Sequence, residues 1–394
     1  MRSFASDNNS GIHPLVLKAI EDANKDHAMG YGEDEWTNRA VTLIKEVFGP
    51  KADPYFVFNG TGANSVALRA CTRTFNSIIA AESAHIFMDE CGAPVFQTGC
   101  QIKEIVTRDG KLTPELIREK LVGFGAVHQS QPKVVYISEC TEYGTVYTPK
   151  EIKAIADLIH KYGMYLHVDG ARLANAAAYL GVTLKELTAD CDVDILSFGG
   201  TKNGMMLGEA VISFRPELSE NMKYIRKQSG QLYSKMRYTS CQFLPYLTNE
   251  LWRKNALHAN KMAQLLVKGI REICDVEFSQ KVEANIVLMC MPRKVIEKLQ
   301  QKYGIIFLDD VLYSEEGWNK FEEWYKNYIS KEVKVKKQKT NENILRVKFI
   351  GIDNWDRPVY KDEKGNIFKD TNLGHGTLSL CTSVNNDFYG EPEA

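Results

Sequence analysis

The sequence predicts an α/β chain: a large unit built on a mostly parallel sheet, followed by a smaller α+β C-terminal unit. Three observations predict it. At 394 residues the chain exceeds the roughly 250–300 at which one hydrophobic core stops growing, so two or more packed units are expected. From Ala40 onward, helical patterns alternate with short apolar runs rich in β-branched residues, the rhythm of strands joined by crossover helices. After Met291 that rhythm stops.

Residues 55–59 are aromatic and β-branched, hence a strand, and the glycines that follow lead into a helix over 63–74. Ile78 and Ile79 centre a strand over 77–80, and a helix is expected over 113–121. The Val-Val-Tyr-Ile run makes 133–138 a strand, from which a helix over 149–162 crosses to the strand 165–169. A helix over 173–180 leads to strands at 195–199 and 209–214, and a long helix is expected over 246–271. Beyond it, helices over 295–302 and 315–331 precede a strand over 344–352. Trp355, Pro358, Gly365 and Gly374 then mark hairpins and loops.

With 44% hydrophobic and 25% charged residues the composition is that of an ordinary globular protein, and a net charge of −1 gives no reason to expect nucleic acid or an anionic membrane as partner. Five lysines between Lys331 and Lys339 read as a solvated connector rather than a binding patch. The nine cysteines are odd in number and scattered, with no C-x-x-C pair and no Cys/His metal spacing, so reduced thiols and no metal site are expected. The N-terminus lacks the apolar core of a signal peptide and no long apolar run occurs, which predicts a cytoplasmic protein without a membrane segment.

In a mostly parallel sheet, ligands sit outside the carboxyl ends of the strands, so polar residues that follow strands carry the chemistry. Three such segments stand out. Asn59-Gly60-Thr61-Gly62-Ala63-Asn64 lies between a strand and a helix, where glycines let backbone amides approach an oxyanion. It has neither the Gly-Lys-Ser/Thr of a P-loop nor a dinucleotide fingerprint, and alone it is most often only a turn. Next, His167-Val168-Asp169-Gly170-Ala171-Arg172 ends a buried strand with a carboxylate, which should face a permanent cation, Arg172 being the nearest in sequence. Last, Phe198-Gly199-Gly200-Thr201-Lys202-Asn203-Gly204 ends another strand with a lysine; a lone lysine there is usually a solvated end.

Their order changes that reading. A phosphate cradle, a strand-end Asp, and a strand-end Lys 33 positions after it are the three contacts that pyridoxal 5'-phosphate (PLP) requires: a phosphate anchor, a carboxylate for the pyridine nitrogen and an amine for the aldehyde carbon.

Over roughly residues 3–291 the sequence resembles fold-type I PLP enzymes of the aspartate aminotransferase-like class, and more closely the threonine aldolase and β-eliminating lyase family. The motifs that carry the resemblance are Ser6-Asp7-Asn8, Gly30-Tyr31-Gly32-Glu33-Asp34, the Gly60 turn, Ala84-His85, Thr141-Glu142-Tyr143-Gly144, Asp169 to Arg172 and Ser197 to Gly204. It implies that Lys202 carries the cofactor, Asp169 pairs with the pyridine nitrogen, Gly60, Thr61 and Gly62 hold the phosphate, and His85 stacks on the ring. Arg172 is then expected to grip a substrate carboxylate, a task suited to its planar fork, with Ser6 and Tyr31 lining the substrate side. Glu142 stands where many members have histidine, a form that resembles a bacterial branch of low-specificity aldolases. Lys235 or Arg237 is implied to serve a neighbouring chain's cofactor, with a solvated helix face as the alternative.

The resemblance implies retro-aldol cleavage of a β-hydroxy-α-amino acid to glycine and an aldehyde, with His85, Glu142 or a water as the base. β-Elimination or transamination would share every cofactor contact, and a binding protein without turnover is a further alternative. It further implies a PLP-binding large domain over 1–250 with an N-terminal arm, the start of a small domain over 251–305, and a homo-oligomer, dimer or tetramer, with shared active sites. Residues 306–394 depart from the family's pattern and are expected to be an added or substituted module, in which Arg346 is the nearest candidate for a second carboxylate-binding arginine.

Overall fold

The computed structural model describes residues 6–273, 276–291, 296, 347–352, 358–362, 364–370 and 380–382. The chain divides into two compact units, Met1–Asp309 and Asp310–Ala394.

The first unit is built on a seven-stranded sheet: β1 (Asp53–Val57), β2 (Asn76–Ala81), β3 (Gln101–Ile105), β4 (Gln131–Ser138), β5 (Tyr165–Gly170), β6 (Ile195–Gly199) and β7 (Glu209–Ser213), in the order β1-β7-β6-β5-β4-β2-β3. Strands β2 to β6 pair in parallel, while β7 runs antiparallel to both its neighbours, β1 and β6. Every strand expected from sequence is present. The unexpected one is β3, whose Gln-Ile-Lys-Glu-Ile is largely polar because it lies at the sheet edge, with Gln101 and Glu104 exposed.

Both faces of the sheet are covered, which is why the central strands read as continuous apolar runs. Successive residues feed two separate cores: Ile78, Ala80, Val134 and Tyr136 enter one, whereas Ile79, Ala81, Val135 and Ile137 enter the other. The second of these is anchored by Phe198, which meets Phe48 edge-on at 5.0 Å between ring centroids. Burying such a ring contributes roughly 1.5–3 kcal/mol.

The helices of this unit are α1 (Pro14–Ala23), α2 (Glu35–Phe48), α3 (Gly60–Cys71), α4 (His85–Met88), α5 (Ala93–Thr98), α6 (Pro114–Lys120), α7 (Pro149–Ile159), α8 (Leu173–Leu180), α9 (Pro216–Ser219), α10 (Met222–Gln228), α11 (Arg237–Leu247) and α12 (Leu251–Ile273). Helix α7 starts on a full capping box between Thr148 and Glu151. The helix expected over 246–271 is not continuous. It breaks at Thr248–Glu250, where Asn249 and Glu250 take positive φ values of 51° and 53°, so that α11 and α12 are separate rods. Pro245 in the last turn of α11, which cannot donate to the helix ladder, favours that stop. Past α12 comes a short hairpin, β8 (Glu277–Phe278) with β9 (Met289–Cys290).

The second unit holds a four-stranded antiparallel sheet, β10 (Val347–Ile352), β11 (Pro358–Asp362), β12 (Ile367–Asp370) and β13 (Leu380–Thr382). Asp362 ties the β11–β12 turn by accepting from the Lys364 and Asn366 N–H groups at 2.8 Å each, and Gly365 supplies its φ of 91°. Strand β10 is the described part of the strand expected over 344–352. The helices expected over 295–302, of which only Ile296 is described, and over 315–331 lie outside the described residues, as do the Lys331–Lys339 run and Arg346.

Candidate active site

Three central parallel strands end side by side, with Ser138 of β4, Asp169 of β5 and Ser197 of β6 in register. Asp169 is buried there. Its Oδ2 accepts from the Tyr136 hydroxyl at 2.6 Å and from Asn64 Nδ2 at 2.8 Å, and its Oδ1 from the Ala171 N–H at 3.0 Å. Burial alone pushes a carboxylate up, but these donors outweigh it and hold the Asp169 pKa below its ordinary value. All three of these donors are neutral, and Arg172, the cation nearest in sequence, is not among them.

Arg172 instead turns to the N-terminal arm. Its Nε and Nη2 donate to Asp7 Oδ2 and Oδ1 at 2.7 and 3.1 Å, and Asn285 Nδ2 closes on the same carboxylate at 3.1 Å. Burial opposes both charges, yet the pair outweighs it, raising the Arg172 pKa and lowering that of Asp7, to which Lys202 also contributes. Asp7 opens a 3-10 turn capped by Ser6, whose hydroxyl accepts the Asn8 N–H.

Lys202 sits on the 3-10 turn Thr201–Asn203 directly after β6. That turn is tied down on its far side. Asn203 Nδ2 donates to the Tyr246 hydroxyl at 3.0 Å and to Trp252 O at 2.8 Å, while Asn255 donates to Asn203 O at 2.9 Å. Gly204 ends the turn at φ 104°, in left-handed territory, and a Cβ there would lie 2.8 Å from Asn255 Nδ2. At Gly199 a Cβ would fall 2.9 Å from the Ala171 Cα, so the Asp169 and Lys202 segments touch backbone to backbone.

His85 opens α4 after β2. Its Nδ1 lies 2.8 Å from Oε1 of the buried Glu90, which also accepts from Asn64 Nδ2 at 2.7 Å. That contact, with Asp169 and Glu142 nearby, raises the His85 pKa against the opposing effect of burial. Glu142 is half-buried and pushed up by burial; Arg172, His85 and Lys202 pull it down and Asp169 adds to the rise. Glu209, buried at the start of β7 beside Gly199, is pushed up by burial to about 8.

At the start of α3, the Asn59 side chain accepts the Gly62 N–H at 2.8 Å, and the Asn59 carbonyl the Ala63 N–H. The Gly60 and Thr61 amides are left at the mouth of this twelve-residue helix, and a Cβ on Gly60 would meet nothing within 4 Å. Gly62 differs, since a side chain there would strike the Gln231 amide, whose Oε1 accepts the Phe58 N–H at 2.9 Å. The residues fit the expected cofactor on the structure's own terms: an open helix mouth for a phosphate, a buried ionised carboxylate for a ring N–H, and an amine on the adjoining turn. Among the described residues no group of three or more His, Cys, Asp or Glu side chains is placed to hold a metal ion, and no helix is long and apolar enough to cross a membrane.

The remaining expected residues make contacts of their own. Tyr31 is exposed, with φ 59°, its N–H bonded to Ser234 O at 2.8 Å and the Lys227 ammonium 5.4 Å over its ring. Lys235 is exposed on the same stretch, and Arg237 reaches Asp26 O and the Tyr238 hydroxyl. Sequence reasoning assigned no role to Asp7, Asn64, Glu90, Tyr136 or Asn285. Glu90 had a local signal, an acid five residues after His85; Asp7 and Asn285 reach the site only through the tertiary fold.

The beta-eliminating lyase family model matches residues 3–292. A low specificity L-threonine aldolase of a Pseudomonas species is 44% identical over 302 residues, spanning 76% of this chain and 87% of that relative. A solved Leishmania major threonine aldolase superposes with a TM-score of 0.72 at 32% identity, covering 77% of this chain and 88% of its own. A Thermus thermophilus aspartate aminotransferase shares the fold, with a TM-score of 0.57 at 18% identity over 71% of this chain and 74% of its own.

Proposed function

The chain belongs to the beta-eliminating lyase family, and from that premise we propose that it cleaves L-threonine, L-allo-threonine and related β-hydroxy-α-amino acids to glycine and an aldehyde. One observation supports this most. The backbones that carry Asp169 and Lys202 touch at Ala171 and Gly199, and Asp169 is linked through Asn64 and Glu90 to His85, so a carboxylate, an amine and an imidazole that such a cleavage needs are held by adjoining segments.

The cofactor would be PLP, joined to the Lys202 amine, with Gly60 and Thr61 holding its phosphate and Asp169 its ring nitrogen. When bound, it supplies the electron sink that takes up the pair left on Cα as the Cα–Cβ bond breaks. Asp169, kept ionised by Tyr136, Asn64 and the Ala171 N–H, retains the ring proton on which that sink depends. Arg172, held in place by Asp7, receives the substrate carboxylate on the guanidinium edge that Asp7 leaves open. His85 and Glu142 are the two side chains available to take the β-hydroxyl proton. Lys202, whose turn Asn203 anchors to α11 and α12, would return a proton to Cα.

The finer organisation belongs to the same proposal. Tyr31, Lys227 and Lys235 form an exposed cationic and aromatic stretch suited to a second copy of the chain, in a cytoplasmic homo-oligomer with shared sites. The large domain would run to about residue 250, the small domain would start at 251–305, and 306–394 would be the added module.

Product analysis tests the reading. The full chain, loaded with PLP and given L-threonine or L-allo-threonine, is expected to release glycine and acetaldehyde in equal amounts. Ammonia and a keto acid in their place would refute aldol cleavage in favour of elimination. Lys202→Ala should abolish the visible absorbance of the loaded protein, and unchanged absorbance would remove Lys202 from its role.

A further inference from the structure

The buried carboxylate of Glu90 closes a continuous hydrogen-bonded chain across the site. Its Oε1 meets His85 Nδ1 at 2.8 Å and Asn64 Nδ2 at 2.7 Å, and the same Asn64 nitrogen lies 2.8 Å from Asp169 Oδ2. The orientation of Asn64 is forced, because both of its neighbours are carboxylates and only the amide nitrogen can donate to them. With both N–H groups so committed, Asn64 cannot turn to offer its oxygen to the ring, and the contact at Nδ1 of His85 is left to Glu90.

A carboxylate accepts and does not donate, so a ring nitrogen 2.8 Å from it must carry a proton. The neutral imidazole then has its proton on Nδ1 and its lone pair on Nε2. The Glu90 side chain is fully buried, while that of His85 is 29% exposed, so the pair has one end locked in the protein and the other open to the site. We propose that Glu90 is a positioning residue that fixes the His85 proton on Nδ1 and so presents Nε2 as the base that takes the β-hydroxyl proton of the substrate. The proposal rests on the aldol reading and names the proton acceptor within it.

The step balances without a further reactant. The hydroxyl proton moves to Nε2, the O–H electron pair forms the aldehyde C=O, and the Cα–Cβ pair stays with Cα. The resulting imidazolium, still bonded to Glu90 through Nδ1, is neutralised when its proton passes by way of the Lys202 amine to Cα of the glycine product. The charged groups that face His85 are Glu90 from its own segment, Asp169 from β5 and Glu142 from the loop after β4, and all three favour the protonated ring. Glu90 is the one in hydrogen-bond contact, so its removal should move the ring most.

The test uses the full chain loaded with PLP, labelled with ¹⁵N-histidine, as wild type and as Glu90→Gln. In the wild type the neutral His85 ring is expected to show a protonated Nδ1 and a bare Nε2. In Glu90→Gln that preference should vanish and the titration midpoint of His85 should fall by about one pH unit. The acid limb of kcat/KM for L-threonine should move by the same amount, with kcat lowered about ten- to a hundredfold and KM little changed. A wild-type ring with its proton on Nε2 would overturn the proposal even if the variant failed to fold. A variant that only melts earlier or loads less cofactor, with limb and midpoint unmoved, would overturn it as well. Absence of glycine and aldehyde from the wild type would instead refute the aldol reading, while the tautomer of His85 is settled by the spectra.

Discussion

Arg172 and Asp7, 165 positions apart, meet side-on, with Nε 2.7 Å from Oδ2 and Nη2 3.1 Å from Oδ1. This geometry spends one edge of the guanidinium and leaves the other, at Nη1, for a second planar anion. A carboxylate of the protein thus fixes the plane in which a carboxylate of the substrate is met. Asp7→Asn should raise KM for L-threonine about tenfold and lower the unfolding free energy by about 3 kcal/mol, since it leaves Arg172 buried without a counter-charge. Steady-state kinetics and urea denaturation of the loaded chain read the two effects separately. An unchanged KM would mean that Arg172 needs no such support.

Tyr136→Phe removes a single hydroxyl, the 2.6 Å donor to Asp169 Oδ2. A hydrogen bond to a charged group contributes about 1.5–3 kcal/mol, so Asp169 should become harder to ionise and PLP affinity should fall at least tenfold. Titrating the cofactor-free variant with PLP by absorbance gives the affinity directly. Equal affinity would show that Asn64 and the Ala171 N–H suffice.

His167 is fully buried, bonded through Nε2 to the Ser197 hydroxyl at 2.9 Å, and burial lowers its pKa to about 4. The unfolded chain, with an ordinary histidine pKa near 6.5, binds this proton earlier, so the stability is fully present above pH ~6.5 and is lost as pH falls toward about 4. The loss from this group approaches roughly 3 kcal/mol. Denaturation midpoints of wild type and His167→Asn between pH 7 and 4.5 should converge as the pH drops. Parallel curves would assign the acid sensitivity to other groups.

Gly199→Ala places a methyl 2.9 Å from the Ala171 Cα and 2.6 Å from Glu209 Oε2. Because the first neighbour is backbone, the strands must part, at a cost of about 1–3 kcal/mol. Lys202 would also shift relative to Asp169. Thermal melts and the fraction of chain that takes up PLP should both fall, whereas a fully loadable variant would show that the two turns tolerate separation.

Much of the fold was legible because strands buried on both faces, such as the Val134 to Ile137 run, are apolar along their whole length. Edge strand β3 was illegible for the opposite reason: its exposed Gln101 and Glu104 carry no such signature. Asp169 and Lys202 stood out since each is a polar residue closing an apolar strand. The donors that hold Asp169 were not legible, because register on β4 supplies Tyr136 and α3 supplies Asn64. Asp7 and Asn285 act through contacts that only packing creates. The break at Asn249 was hidden by helical patterns that continue on either side of it.

The ladder through β7 sets the site in another respect. Val57, at the end of β1 just before the Gly60 turn, pairs with Glu209, and Glu209 pairs with Gly199, just before the Lys202 turn. The strand ends that lead to the helix mouth and to the lysine turn are therefore spaced by two strand separations, roughly 10 Å, across one residue of an antiparallel strand. A one-residue slip in that strand would leave a compact, helical molecule in which the two halves of the site are out of step. Circular dichroism would hardly register such a species, whereas stoichiometric uptake of PLP would. Counting cofactor per chain after refolding is thus an audit of strand alignment as much as of binding.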